Sequence, residues 1–115
     1  MLAKIHRFHR RGSLNYVYRK GQITRSPYCL MRFAKGKNDF YRIAVVVNKK
    51  VAKSAVVRNR IRRRIYEVIR LQADGLLTNQ DIVVTVFDDR CLTLPHQELT
   101  GTIRRQLEQI AKTDK

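Results

Sequence analysis

Phe40-Tyr41-Arg42-Ile43-Ala44-Val45-Val46-Val47-Asn48 leads through a basic connection at 49–54 into Ala55-Val56-Val57-Arg58-Asn59-Arg60-Ile61-Arg62-Arg63-Arg64-Ile65-Tyr66-Glu67-Val68, and Asp81-Ile82-Val83-Val84-Thr85-Val86-Phe87 follows. The first piece is an apolar, β-branched run that predicts a strand over 40–48. Its unbroken stretch Ile43–Val47 predicts a strand covered on both faces. The second piece changes period. Val57, Ile61, Ile65, Val68 and Gln72 fall on one face at about 100° per residue, which predicts a helix over 55–73 that stops near Asp74-Gly75. The third piece predicts a strand over 81–87. Strand, helix and strand in that order make a β-α-β unit, and such a unit places its two strands parallel.

Working outward, residues 27–34 read as a strand and Lys35-Gly36-Lys37-Asn38-Asp39 as a turn, so 27–48 is expected to be a hairpin. Ser13 offers an N-cap, Leu14, Val17 and Tyr18 recur at helical spacing, and Gly21 supplies a stop; a short helix is expected at about 13–20. Residues 1–11 read as a basic, flexible arm. A last helix at about 95–111 carries Leu99, Ile103, Leu107 and Ile110 in an apolar stripe. The expected order is α-β-β-α-β-α in one domain spanning 1–115. The expected fold class is a small two-layer α/β sandwich, of α+β or α/β type.

Charge is distributed unevenly. Residues 1–66 hold 19 Lys/Arg against the single acid Asp39, while 67–115 hold 6 Lys/Arg against 8 acids. Net charge is therefore +18 in the first part and −2 in the second. Self-repulsion at that density weakens a free fold, and a bound polyanion relieves it. Arginine grips phosphate oxygens bidentately. Five of the seven residues Arg58–Arg64 are arginine on a helix with an apolar anchor, so a nucleic-acid backbone is the expected partner. Asn59 can reach a base edge or ribose. A strand and a basic connection precede this helix, with no short helix-turn-helix partner, which argues against a DNA reader.

Tyr16, Tyr18, Tyr28, Phe33, Phe40 and Tyr41 lie among Arg19, Lys20, Arg25, Arg32 and Arg42, a mixture suited to unpaired bases. Such rings more often belong to the core. Tyr18, which closes the short helix beside Arg19 and Lys20, is the best exception. His6 and His9 sit in the basic arm with no third ligand near them, and Asp88-Asp89 form an acidic turn. No Gly-rich phosphate loop, Ser/His/Asp set or Cys/His set is present. Cys29 and Cys91 lack metal-type spacing and read as reduced thiols of a cytoplasmic protein. No apolar run reaches the roughly 18–20 residues a membrane span needs, and the basic N-terminus has no apolar region behind it to make a signal peptide. The chain reads as a binder that carries no chemistry of its own.

Val45-Val46-Val47-Asn48-Lys49-Lys50, then Ala55-Val56-Val57-Arg58-Asn59-Arg60-Ile61-Arg62-Arg63, resembles the signature of the bacterial ribonuclease P protein component: a strand, two lysines, then an Arg-Asn-Arg helix with more basic residues. The resemblance is strongest over 43–65 and extends over roughly 5–110. It implies a sheet with a left-handed β-α-β crossover, like the second domain of the fifth small-subunit ribosomal protein. It implies two partners, a large catalytic RNA and precursor tRNA, with no DNA and no membrane. The RNA, with its bound Mg²⁺, would cut the phosphodiester bond that frees the 5′ leader. The protein would assist without catalytic residues and without a cofactor of its own. By resemblance, Lys49, Lys50, Arg58, Asn59, Arg60, Arg62 and Arg63, joined by Lys53 of the same connection, bind RNA. Leu14, Tyr18, Tyr28 and Arg32 are expected to line a leader cleft between the first helix and the sheet. Leu14 stands where many relatives carry an aromatic ring, which shifts the expected stacking to Tyr18. Asn48 and Ala52 stand in place of a common serine and glycine.

Three other readings remain open on sequence. A ribosomal or ribosome-assembly protein would share the composition but not the Arg-Asn-Arg signature. A DNA regulator would need a dimerisation or recognition-helix pattern. A stand-alone nuclease would need a catalytic set.

Overall fold

A computed structural model of the chain describes residues 11–36 and 39–113, with side chains from Leu14 onward. The order is α1 (Arg11–Lys20), β1 (Gln22–Arg25), β2 (Cys29–Lys35), β3 (Arg42–Val47), α2 (Ala55–Ala73), β4 (Gln80–Val86), a 3₁₀ turn at Asp89–Leu92, and α3 (His96–Thr113). The mixed α+β class expected from sequence is present. The basic arm at 1–11 lies, apart from Arg11, outside the described residues, as do His6, His9 and two residues of the 35–39 turn. No helix among the described residues is long and apolar enough to cross a membrane.

The sheet runs β1-β2-β4-β3. β3 pairs in parallel with β4, from Arg42 opposite Asp81 to Val47 opposite Val86. This is the expected β-α-β pair. The expected hairpin over 27–48 does not form. β4 lies between β2 and β3, and β2 pairs antiparallel with β4, Cys29 opposite Val86 and Lys35 opposite Gln80. The reason is burial. β4 is buried at every position but Thr85, and a strand covered on both faces gains most at the centre of a sheet. The true hairpin partner of β2 is the short β1, with Gln22 opposite Phe33 and Arg25 opposite Leu30.

Alternation along the strands sends Met31, Phe33, Ile43, Val45, Ile82 and Val84 to one face, where Ile61, Ile65, Val68 and Ile69 of α2 and Leu99, Ile103, Leu107 and Ile110 of α3 close the main core. The other face presents Ala44 and Val83 to Val17 of α1, with Leu14, Ala34 and Val46 packed around them. Ile43–Val47 is thus covered on both sides, as its unbroken apolar pattern predicts. Gly21 ends α1 in close quarters: its N–H donates to the Val17 carbonyl at 2.8 Å, and a Cβ there would lie 2.4 Å from that oxygen. α2 ends at Ala73 and is capped by Asp74, which is followed by Gly75 with φ +81°, a left-handed conformation that favours glycine.

Candidate nucleic-acid interface

α2 begins just beyond the C-terminal end of β3, so the sheet fixes where its first turns point. Asn48 Oδ1 accepts the Lys50 N–H at 3.0 Å, a local turn that leaves Lys49 and Lys50 exposed. Ser54 caps α2, its Oγ accepting the Val57 N–H at 3.4 Å. Arg58 reaches back and donates Nη1 to the carbonyls of Ala52 and Lys53 at 3.0 and 2.9 Å, so it shapes the connection as well as charging it. Arg62 donates to Asn59 Oδ1, which fixes two polar groups against each other one turn into the helix. Lys53, Asn59, Arg60 and Arg63 are exposed; Arg58 and Arg62 are half-buried. The anchor below them is Ile61 and Ile65, both fully buried. A donor array on such a support loses little motion when it meets phosphate.

The second element of the interface lies on the α1 face of the sheet. Arg32 projects from mid-strand β2, and its guanidinium stands 5.5 Å from the centre of the Tyr18 ring. Tyr18 remains 42% exposed, and half-buried Leu14 packs on the same face. The structure therefore brings Leu14, Tyr18 and Arg32 together. Tyr28 is the correction to that set. It is buried in the main core on the opposite face, its hydroxyl donates to Glu98 Oε1 at 3.1 Å, and Arg90 lies 5.1 Å from its ring centre. Burial, and then the Glu98 hydrogen bond, push the Tyr28 phenol above its ordinary value. Its polar end is spent on α3.

The family model for ribonuclease P matches residues 2–111. The chain belongs to the ribonuclease P protein family. It is 39% identical over 87 residues to the ribonuclease P protein component of Pseudanabaena sp., covering 75% of each chain. It is 28% identical to that of Chloroflexus aggregans over 94% of this chain and 79% of the relative. The ribonuclease P protein of Thermotoga maritima has the same fold, with a TM-score of 0.80 at 21% identity over 90% of this chain and 96% of that one. So does that of Staphylococcus aureus, with a TM-score of 0.78 at 23% identity over 93% and 95%.

Within this member of the family, four polar side chains do structural work that the sequence pattern hid. Arg64 turns away from the cluster and donates to the carbonyl of Cys91 at 2.8 Å and to that of Leu94, which ties α2 to the 3₁₀ turn and its exit. Tyr66 packs against the main core. Its hydroxyl accepts the Val45 N–H at 3.1 Å, covering an edge of the sheet that no strand pairs. Arg42 and Asp81, neighbours on β3 and β4, form a bidentate pair at 2.8 and 2.7 Å. That hydrogen-bonded pairing holds the Arg42 guanidinium above its usual value. The acidic turn is likewise occupied: Arg90 holds the Asp88 carboxyl below the usual range. Among the described residues no three His, Cys, Asp or Glu side chains gather in one place.

Proposed function

We propose that the chain is the RNA-holding subunit of a ribonucleoprotein endoribonuclease. Lys49, Lys50, Lys53, Arg58, Asn59, Arg60, Arg62 and Arg63 bind the catalytic RNA. Leu14, Tyr18 and Arg32 receive the single-stranded 5′ leader of precursor tRNA. The RNA and its bound Mg²⁺ hydrolyse the phosphodiester bond; the protein raises affinity for substrate and metal by screening phosphate repulsion between the two RNAs. The observation that carries this reading is the placement of both groups on one rigid sheet. The Tyr18–Arg32 pair stands mid-sheet on the α1 face, and the cationic start of α2 is fixed at one end of the same strands. A ring beside a guanidinium stacks on any base, and phosphate contacts read none, so weak leader-sequence preference follows.

The test is reconstitution with a bacterial ribonuclease P RNA and precursor tRNA at low Mg²⁺. Added protein should speed cleavage and tighten binding of leader-bearing substrate over mature tRNA. Absence of stimulation at every Mg²⁺ concentration, or cleavage by the protein alone, would overturn the reading.

A further inference from the structure

Beyond the cleft, a recess opens where α1 ends. It is lined by Tyr16, Lys20, Gln22, Phe33, Ala34 and Lys35, with the last turn of α3 at its rim. Tyr16 is 47% exposed, a large ring left without cover. Tyr16 and Tyr18 are two residues apart, about 200° around the helix, so the two rings stand on opposite flanks of α1. Lys20 and Lys35 are exposed, and neither has a hydrogen-bond or ion-pair partner among the described residues. Among the described residues no acidic side chain lines the recess. An open aromatic ring flanked by unpaired ammonium groups, with Ala34 on the same face of the sheet, suits a nucleobase with its phosphate.

The register of the sheet says which RNA can reach it. Lys35 lies at the level of Gln80, Arg32 at the level of Val83, and Val47, from which the connection to α2 departs, at the level of Val86. The recess and the arginine cluster thus sit at opposite ends of β4, about 20 Å apart at ~3.3 Å per residue, with the Tyr18–Arg32 pair between them. Ala34 joins the two regions, since it packs in the Leu14–Val17 cluster and also lines the recess.

We propose that this recess is a distal leader subsite, holding a nucleotide farther from the cleavage point than those at Tyr18 and Arg32. It rests on the leader reading above. A strand leaving the catalytic RNA near α2 crosses the sheet at Arg32 and passes the end of α1. There its base stacks on Tyr16, and its phosphate lies between Lys20 and Lys35.

The test uses holoenzyme reconstituted with a bacterial ribonuclease P RNA and precursor tRNAs carrying a graded series of leader lengths. In wild type, affinity should rise with length until the recess is filled. The Tyr16→Ala/Lys35→Ala double variant should stop gaining at shorter leaders and bind the longest about fivefold more weakly, the low end of one base–aromatic stack. Tyr16→Phe should follow wild type. Both exchanged side chains are exposed, and circular dichroism checks that the variant is folded. A double variant with wild-type length dependence would overturn the subsite. So would a loss of equal size at every length, which would mean that the recess acts on the catalytic RNA or the fold. A wild type that gains nothing from any leader would instead sink the leader reading itself.

Discussion

Arg63 and Arg64 are consecutive and chemically identical, yet the structure gives them opposite tasks, and exchanging each for alanine should separate binding from stability. Arg64 donates to the carbonyls of Cys91 and Leu94 from a half-buried position. Hydrogen bonds from a charged donor are worth roughly 1.5–3 kcal/mol each, and water recovers part of that where it can enter. Arg64→Ala should therefore cost about 2 kcal/mol. At ~2.1 cal/mol/K per residue, unfolding of a chain of 115 residues would shift by roughly 8 °C. Its effect on the salt dependence of RNA binding should be nil, because the guanidinium faces the protein. Arg63 is exposed and has no partner among the described residues. Arg63→Ala should leave Tm within about 2 °C, as surface changes do. It should flatten the slope of log K against log salt by about 0.7–0.9, the loss of one phosphate contact. Thermal unfolding followed by circular dichroism and binding titrations at several salt concentrations measure both quantities on the same preparations. If Arg64→Ala flattens the slope at unchanged Tm, or Arg63→Ala lowers Tm by the larger amount, the division of labour is refuted.

Two further outcomes are expected. Tyr66→Phe removes the acceptor of the Val45 N–H at the sheet edge and should lower stability by about 1 kcal/mol; an unchanged urea midpoint would show that this contact carries nothing. Burial first, with Cys29 and Asp88 nearby, pushes the Cys91 thiol from its ordinary 9.0 up to about 12. The unfolded chain then loses that proton near pH 9 while the folded chain keeps it, so this group's contribution is constant below pH 9 and is lost as pH rises from there toward 12. Urea midpoints at pH 8 and 10.5 should fall more steeply in wild type than in Cys91→Ala, and parallel falls would remove the effect.

What the sequence showed most clearly was periodicity. α2, α3 and β4 each carry an uninterrupted apolar pattern, and each lies where that pattern puts it. β1 was missed because its pattern is inverted: Ile23 is exposed, and the buried residue is Thr24, whose carbonyl and hydroxyl oxygens accept from the buried Gln106 amide at 3.4 Å. A polar side chain facing the core reads as a loop unless its partner 82 residues away is known. The hairpin error has a similar source. Local pattern marks β2 and β3 as strands and the residues between them as a turn, but pairing is decided by which strand can bear burial on both faces. Tyr28 and Arg64 show the same limit at the interface. Both were placed near polar surface by sequence position, and both send their polar ends to groups brought close only by folding. The exposed members of the basic cluster required no partner and were legible from the start.

The central place of β4 also bears on how the chain is made. A ribosome polymerises β1, β2, β3 and all of α2 before residue 80 is added. Until then β2 and β3 cannot join, because the strand that lies between them does not yet exist. The segment waiting in that interval carries the +18 of residues 1–66 without a closed sheet to organise it. At about 5–20 residues per second the interval from residue 67 to residue 86 is roughly one to four seconds. For that time the nascent chain is a polycation beside ribosomal RNA, and only the arrival of Gln80–Val86 converts it from an indiscriminate ligand into a shaped one.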